Sequence, residues 1–421
     1  MSLFSKFANL RIIVGKSLRQ HALSTTITVI STALGVGLVM ATFNVSTQSR
    51  NAFAGGPVGF DAVLGARGSQ LQLVLNTVFH LETSPGNLPW SLYETVREHP
   101  GVELAIPYVV GDNFNGFRIV GTTEELFTDF EYQAGESFQP EAGGRFFDPL
   151  RREAVIGASV ASATGLGLGD RFSPYHGVRF QPNKQHKEEY VIVGVLEPTR
   201  SPSDRVIWIP LEGLFRMGGH FLRGAGEEYV AQAGVPVPDE HKEVSAVMLK
   251  FKHPQVGFML GQTINFQGDV ATLAFPIASV MADLFEKLGW MSHVLELVAI
   301  LVVVVAVGAI LASLYNTMNE RRTEFAILRA LGARRSTVFT VILMESSAIA
   351  ALGSLVGYMF YAAILGSAAW IVRRQTGVVL DVWSYHPVLL WMPACMVFCG
   401  ALAGLLPARE AYSTDVADTL S

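Results

Sequence analysis

Between Glu296 and Glu320 the chain reads Leu297-Val-Ala-Ile-Leu-Val-Val-Val-Val-Ala-Val-Gly-Ala-Ile-Leu-Ala-Ser-Leu-Tyr-Asn-Thr-Met-Asn319, without one charged side chain. A helix rises 1.5 Å per residue, so about 20 mainly apolar residues cross a hydrocarbon core near 30 Å. This run spans a bilayer. Working outward, three more stretches pass the same test: no charge falls between His21 and Arg50, between Glu345 and Arg373, or between Asp381 and Arg409. The third of these four spans is expected to begin near Val338, which places Glu345 inside the membrane, facing a polar partner or the headgroup zone. Leu273 to Met281 is apolar but short and contains Pro276. It is taken as part of an amphipathic helix leading into the second span.

The composition agrees. Half of the 421 residues are hydrophobic, 16% are charged, and the mean hydropathy is +0.35. Soluble chains carry about a quarter of charged residues. A net charge of -5, with no basic block interleaved with aromatics, excludes a nucleic-acid-binding surface. Basic residues flank short loops on one side: Lys6, Arg11, Lys16 and Arg19 before the first span, Arg321, Arg322, Arg329, Arg334 and Arg335 between the second and third, and Arg409 after the fourth. The positive-inside rule makes both termini and the Arg-rich loop cytoplasmic. Ala52-Phe53-Ala54 has the form of a signal cleavage site, but the apolar run before it is about twice the usual length and Arg50 intervenes, so the first span is expected to be retained.

The resulting map has a cytoplasmic helix over 1–20, spans over 21–49, 291–318, 336–372 and 387–408, an outside domain with stalk helices over 50–290, a cytoplasmic segment over 319–335, a short outside loop over 373–386 and a tail over 409–421. Leu3, Phe7, Leu10, Val14 and Leu18 recur at helical spacing with Lys and Arg between them. That suits a helix lying along the membrane surface, with a plain extension of the first span as the alternative.

In the outside domain Ala105–Val110, Phe117–Val120, Ala154–Ile156, Tyr190–Leu196, Arg205–Ile209 and Ala246–Phe251 are rich in β-branched or aromatic residues and bounded by turn formers. Ser91–Glu98 and Gly157–Gly165 are predicted helices. The sum is an α+β domain, expected as two lobes with a boundary near Gly121–Phe138 and a return after Pro198. His80, His99, His176, His186, His220, His241 and His253 show no H-x-x-x-H spacing and no Cys partner, so they are taken as solvated loop residues and no metal is assigned. Asp204 after Ser201-Pro202 is taken as a structural turn residue, and no catalytic constellation emerges. Cys395 and Cys399 share a face of the last span and are taken as packing residues.

The segment Asn319-Glu-Arg-Arg-Thr-Glu-Phe-Ala-Ile-Leu-Arg-Ala-Leu-Gly-Ala-Arg-Arg335 carries the functional information. On a helix, Phe325, Leu328 and Leu331 form an apolar ridge, and Glu320, Arg321, Arg322, Glu324 and Arg329 lie beside it. Gly332 then breaks the helix before Arg334 and Arg335. Such a segment docks its ridge into a partner's groove while its charges set the register; the alternative is a basic loop resting on lipid headgroups. A phosphate-cradling loop needs G-x-x-x-x-G-K-[ST]. Gly15-Lys16-Ser17 imitates its end, but Leu10 stands where the first Gly is required. This chain is therefore expected not to hydrolyse ATP and to bind no cofactor itself. Gly353 with Gly357, and Gly400 with Gly404, form two G-x-x-x-G pairs for close helix packing, either within the chain or between copies.

With these residues on the page, the sequence resembles the FtsX/MacB-type permeases of ABC transporters, the mechanotransmission (type VII) family related to the lipoprotein-releasing permeases. The resemblance rests on the one-plus-three arrangement of spans and on four runs: Glu320-Arg-Arg-x-Glu324 with Leu328-Arg-x-x-Gly332; Gly144-Arg145, Val155-Ile-Gly157 and Gly165-Leu-Gly-Leu-Gly-Asp170; Val191-Ile-Val-Gly-Val195; and Leu406-Pro407-Ala408-Arg-Glu-Ala411. Phe60 to Val74 looks like a subgroup signature. Asp415-Val416 departs from the family, which often has a Pro there. The resemblance implies an α-helical membrane protein with four transmembrane helices and a large α+β extracytoplasmic domain in a bacterial inner membrane. It also implies a permease dimer, homo- or heteromeric, a separate ABC ATPase subunit holding ATP and Mg at the cytoplasmic face, and a periplasmic adaptor or cargo protein. Efflux or extraction of periplasmic cargo is the implied function; lipoprotein release, or a regulatory or binding module acting on a periplasmic partner or in metal handling, is the alternative.

Overall fold

The structure, a computed structural model, describes residues 3–54, 59–178, 180–218, 222–224, 226–231, 235, 237–321, 323–324, 327, 333–381 and 384–413, with the side chains of 3–9, 54 and 410–413 excepted. It divides into two compact units, one of residues 1–49, 288–370 and 381–421, the other of residues 50–287 and 371–380.

The first unit holds the long helices. Among the described residues, four are long and apolar enough to cross a membrane: Ala22–Ala54, Gly289–Glu320, Arg335–Thr376 and Val388–Ser413. A shorter helix, Leu3–Gln20, precedes them, and its junction with the next is only His21, with backbone bonds His21 N to Ser17 O and Thr25 N to His21 O bridging it. The third long helix starts at Arg335, ahead of Val338, and continues to Thr376, past the loop expected from 373. The core of this unit is drawn from all four: Val36, Met40 and Ala41; Ala306, Ile310 and Leu314; Ile349, Ala350, Tyr361 and Leu365; Met396 and Ala403. Asn44 Nδ2 donates to the Tyr361 hydroxyl within it (2.5 Å).

Glycines set the helix spacing. A Cβ on Gly353 would stand 2.5 Å from Thr32 Cβ, and one on Gly357 3.1 Å from Val36 Cβ, so both face the first long helix. Gly37 answers from that helix: its Cβ would lie 2.8 Å from the Gly357 carbonyl. Gly400 and Gly404 face Ala350 and Ser346 on the third long helix. Each G-x-x-x-G face is thus covered by a helix of the same chain.

The second unit is built on a ten-stranded mixed sheet. All six strand expectations fall on observed strands, Val102–Phe114, Phe117–Thr122, Glu153–Ile156, Tyr190–Val195, Val206–Pro210 and Ala246–Phe251, and the two helices appear as Trp90–Arg97 and Ala158–Thr164. Successive residues in a strand point to opposite faces, and here both faces are buried. Leu64, Ile119, Ile207 and Leu249 enter one core, while Val63, Val120, Trp208 and Met248 enter the other.

The strand Val102–Phe114 belongs to both halves of the sheet, pairing with Ala246–Phe251 up to Tyr108 and with Phe117–Thr122 from Val109 onward. One expectation fails. The apolar run from Leu273 is not helical at its start: Ala271–Ala274 is a strand paired with Ala62–Ala66, and the helix begins only at Ile277. Pro276 disfavours helical geometry in the residue before it, so the run is cut there.

The glycine-bearing motifs interlock. A Cβ on Gly194 would collide with the Arg145 carbonyl, and one on Gly157 with the Ser203–Asp204 backbone. Arg145 makes a two-pronged ion pair with buried Glu153 (2.5 and 2.6 Å), which also accepts from Asp148 N–H (2.9 Å). These donors, Arg145 first, hold the Glu153 carboxyl below its ordinary range. Asp204 serves the backbone, accepting from Thr199 N and Oγ1 and from Arg200 N.

His80 is no solvated loop residue. Its imidazole stands edge-on to Trp208, its backbone has φ 56°, and Arg118 donates to its carbonyl (3.4 Å) and more closely to that of Glu82 (2.7 Å). Burial, and then the charges of Arg118 and Arg205, push the ring down from 6.5 to about 3. Between those pH values the unfolded chain takes up a proton that the folded one refuses. Stability from this site is therefore complete above 6.5 and falls as pH drops toward 3. His80→Asn removes the titration while tolerating the left-handed backbone. Melting curves of the detergent-solubilised chain are expected to lose part of their acid-side slope in that variant; an unchanged slope would contradict this account.

Candidate coupling site

The end of the helix Gly289–Glu320 is the root of the Arg-rich segment. Arg321 caps it, its N–H bonded to the Thr317 and Met318 carbonyls, where a cation also meets the negative end of the helix dipole. Its side chain then turns inward. Arg321 Nη1 donates to Ser17 Oγ (2.5 Å) and lies 3.5 Å from Glu345 Oε2, while Nε donates to Glu324 Oε2 (3.0 Å). Ser17 passes the interaction on, donating from Oγ to Glu345 Oε1 (2.6 Å). Arg321, Ser17 and Glu345 are only 6%, 2% and 5% exposed. One step away, His21 Nδ1 sits 3.2 Å from Glu320 Oε2.

Each member comes from a different helix: Ser17 from Leu3–Gln20, Arg321 from the cap of Gly289–Glu320, and Glu345 from the third turn of Arg335–Thr376. A buried charge is tolerated only when paired and hydrogen-bonded. The cluster therefore holds three helices in one register, and a displacement of Arg321 is felt by all of them.

The structure sorts the expected docking residues. Glu320 and Glu324 are exposed, as are Arg334 and Arg335 at the start of the third long helix. Arg321, by contrast, is buried, its side chain held by Ser17, Glu324 and Glu345. Arg322, Phe325, Leu328, Arg329, Leu331 and Gly332 lie outside the described residues. Ile327, described, is 49% exposed. Glu345 has the polar partner expected of it. Ser17 was missed, although a signal existed: it stands three residues after Val14 on the apolar stripe of its helix, where a small polar residue needs a buried partner.

Residues 25–250 match the MacB-like periplasmic core domain, and residues 296–416 match the FtsX-like permease C-terminal family. The chain is 24% identical over 410 residues to the macrolide export ATP-binding/permease protein MacB of Brucella abortus, covering 94% of this chain and 57% of that protein. It thus spans little more than half the length of that relative. It is 21% identical over 424 residues to the lipoprotein-releasing system transmembrane protein LolE of Haemophilus influenzae, covering 92% and 93% of the two chains. Among solved structures it is similar to the periplasmic region of MacB from Actinobacillus actinomycetemcomitans, with 11% identity, 55% and 94% coverage and a TM-score of 0.34.

Proposed function

This chain belongs to the family of ABC transporter permeases that join a MacB-like periplasmic core domain to an FtsX-like C-terminal region, and on that premise we propose that it transmits ATP-driven motion rather than producing it. A separate ATPase docks on residues 319–335 at the cytoplasmic face of a bacterial inner membrane. Its closure on ATP displaces this segment, and the long helices carry the displacement to the periplasmic domain, which moves cargo on that side. A second permease copy completes a pair of docking sites. These 421 residues contain no G-x-x-x-x-G-K-[ST] run, and in this reading the phosphate chemistry is carried out by the ATPase.

The observation that supports this most is the Ser17–Arg321–Glu345 cluster. A flexible loop on lipid headgroups has no use for a buried, hydrogen-bonded root; a lever does. The test replaces two residues of the expected docking segment, Glu324 and Leu328, and keeps Ser17, Arg321 and Glu345 in place. Glu324→Ala combined with Leu328→Ala is expected to abolish co-purification of the ATPase and its stimulation by the permease, with the membrane part still folded. Normal ATPase binding and turnover in that variant would overturn the proposal.

A further inference from the structure

A second cluster lies in the sheet domain, within one unit and independent of the coupling cluster. The strand Val102–Phe114 shifts register between Val110 and Asp112 against its neighbour Phe117–Thr122, an irregularity that re-aims a side chain. On its other pairing, Asp112 stands opposite His176 of the short strand Tyr175–His176. The chain after His176 folds back: His176 N–H donates to the Lys184 carbonyl (2.7 Å) and His186 N–H to that of Pro174 (2.8 Å). Asn113, fully buried, pins the turn by donating to the carbonyls of Gly177 (2.6 Å) and Tyr175 (3.3 Å). The result puts two imidazoles on one carboxylate oxygen. His186 Nε2 is 3.3 Å and His176 Nδ1 3.5 Å from Asp112 Oδ1.

We propose that Asp112, His176 and His186 form a binding site for a divalent transition metal of the zinc class. Two observations carry this. Ligand atoms at about 2.0–2.1 Å from a tetrahedral Zn are about 3.3–3.4 Å apart, close to the separations of 3.3 and 3.5 Å found here, and all three donor atoms fall within 4.8 Å of one another. The donor set, two imidazole nitrogens and one carboxylate oxygen, suits Zn, Co or Ni and not the all-oxygen shells of Ca and Mg. His186 has a side chain 6% exposed, and His176 one 44% exposed, so the open side of the site is that of His176.

His186 is buried against Asp112 rather than solvated, and the proposal departs from the expectation that these histidines hold no metal. Spacing could not disclose it, since Asp112 and His186 are 74 positions apart.

The test uses the full chain in detergent after chelator treatment, titrated with Zn(II) alone against a chromophoric chelator and with Co(II) as a spectroscopic reporter. One equivalent per chain is expected, with a Co(II) spectrum of low-symmetry, four-coordinate type. His176→Ala, at a half-exposed position that leaves the core intact, is expected to weaken binding by about 100-fold or more, beyond what loss of an outer contact does; Asp112→Asn, which keeps the size of the side chain, should do the same. Absence of binding in the parent chain, or equal affinity in His176→Ala, as when the metal sits on His241 or another histidine, would overturn the proposal.

Discussion

Arg321→Ala is expected to destabilise the helical unit by about 3–5 kcal/mol, the cost of removing one partner of a buried ion pair. The substitution leaves the Glu345 carboxylate, 5% exposed, with only the Ser17 hydroxyl among the described residues, and it also removes the cation from the end of the helix Gly289–Glu320. A thermal melt of the detergent-solubilised chain measures the loss. The pair Arg321→Met with Glu345→Leu separates two roles of the cluster. Replacing a whole buried pair by apolar residues of similar volume is often neutral or better for stability, so the double variant is expected to recover most of the lost stability. If the cluster serves only folding, transport by the double variant returns as well. If it is the root of a lever, stability returns while the stimulation of the ATPase does not. A single Arg321→Ala variant melting with the parent chain would mean that the cluster carries no energetic weight.

Gly37→Ala is the second large effect. One methyl group there would sit 2.8 Å from the Gly357 carbonyl oxygen and 3.1 Å from Tyr361 N, both backbone atoms of the facing helix that no rotamer change can clear. The helices must separate, and overpacking of this kind costs about 1–3 kcal/mol. Separation also strains the nearby bond between Asn44 and the Tyr361 hydroxyl. Gly366→Ala in the same facing helix is the control, because a Cβ there meets nothing within 4 Å; it is expected to change stability by no more than about 0.5 kcal/mol. Monodispersity on size-exclusion after a heating series reads both. Equal behaviour of the two variants would remove the close helix contact as a source of stability.

These cases mark how far local sequence reaches. Gly353 and Gly357 were legible as a close-packing pair, since their spacing is itself the motif; Gly37 was not, because its constraint is the carbonyl of a residue 320 positions later. Likewise Arg321 and Arg334 are the same residue type in one short basic segment, yet one is buried and the other exposed. Nothing in spacing distinguishes them. The difference is Ser17, 304 positions before Arg321, and Glu345, 24 positions after it.

From the chain alone came the four spans, the place of the large insert, the strands of its sheet and the segment suited to docking. Each follows from a rule acting within one run of residues: a hydrocarbon core excludes charge over about 20 residues, and a strand or helix face repeats its side chains at a fixed local period. Tertiary structure alone decided which polar groups share a buried space, and so assembled Ser17 with Arg321 and Glu345, and Asp112 with His176 and His186. Burial and pairing are properties of what surrounds a side chain, and in both clusters the surroundings are supplied by segments far away along the backbone.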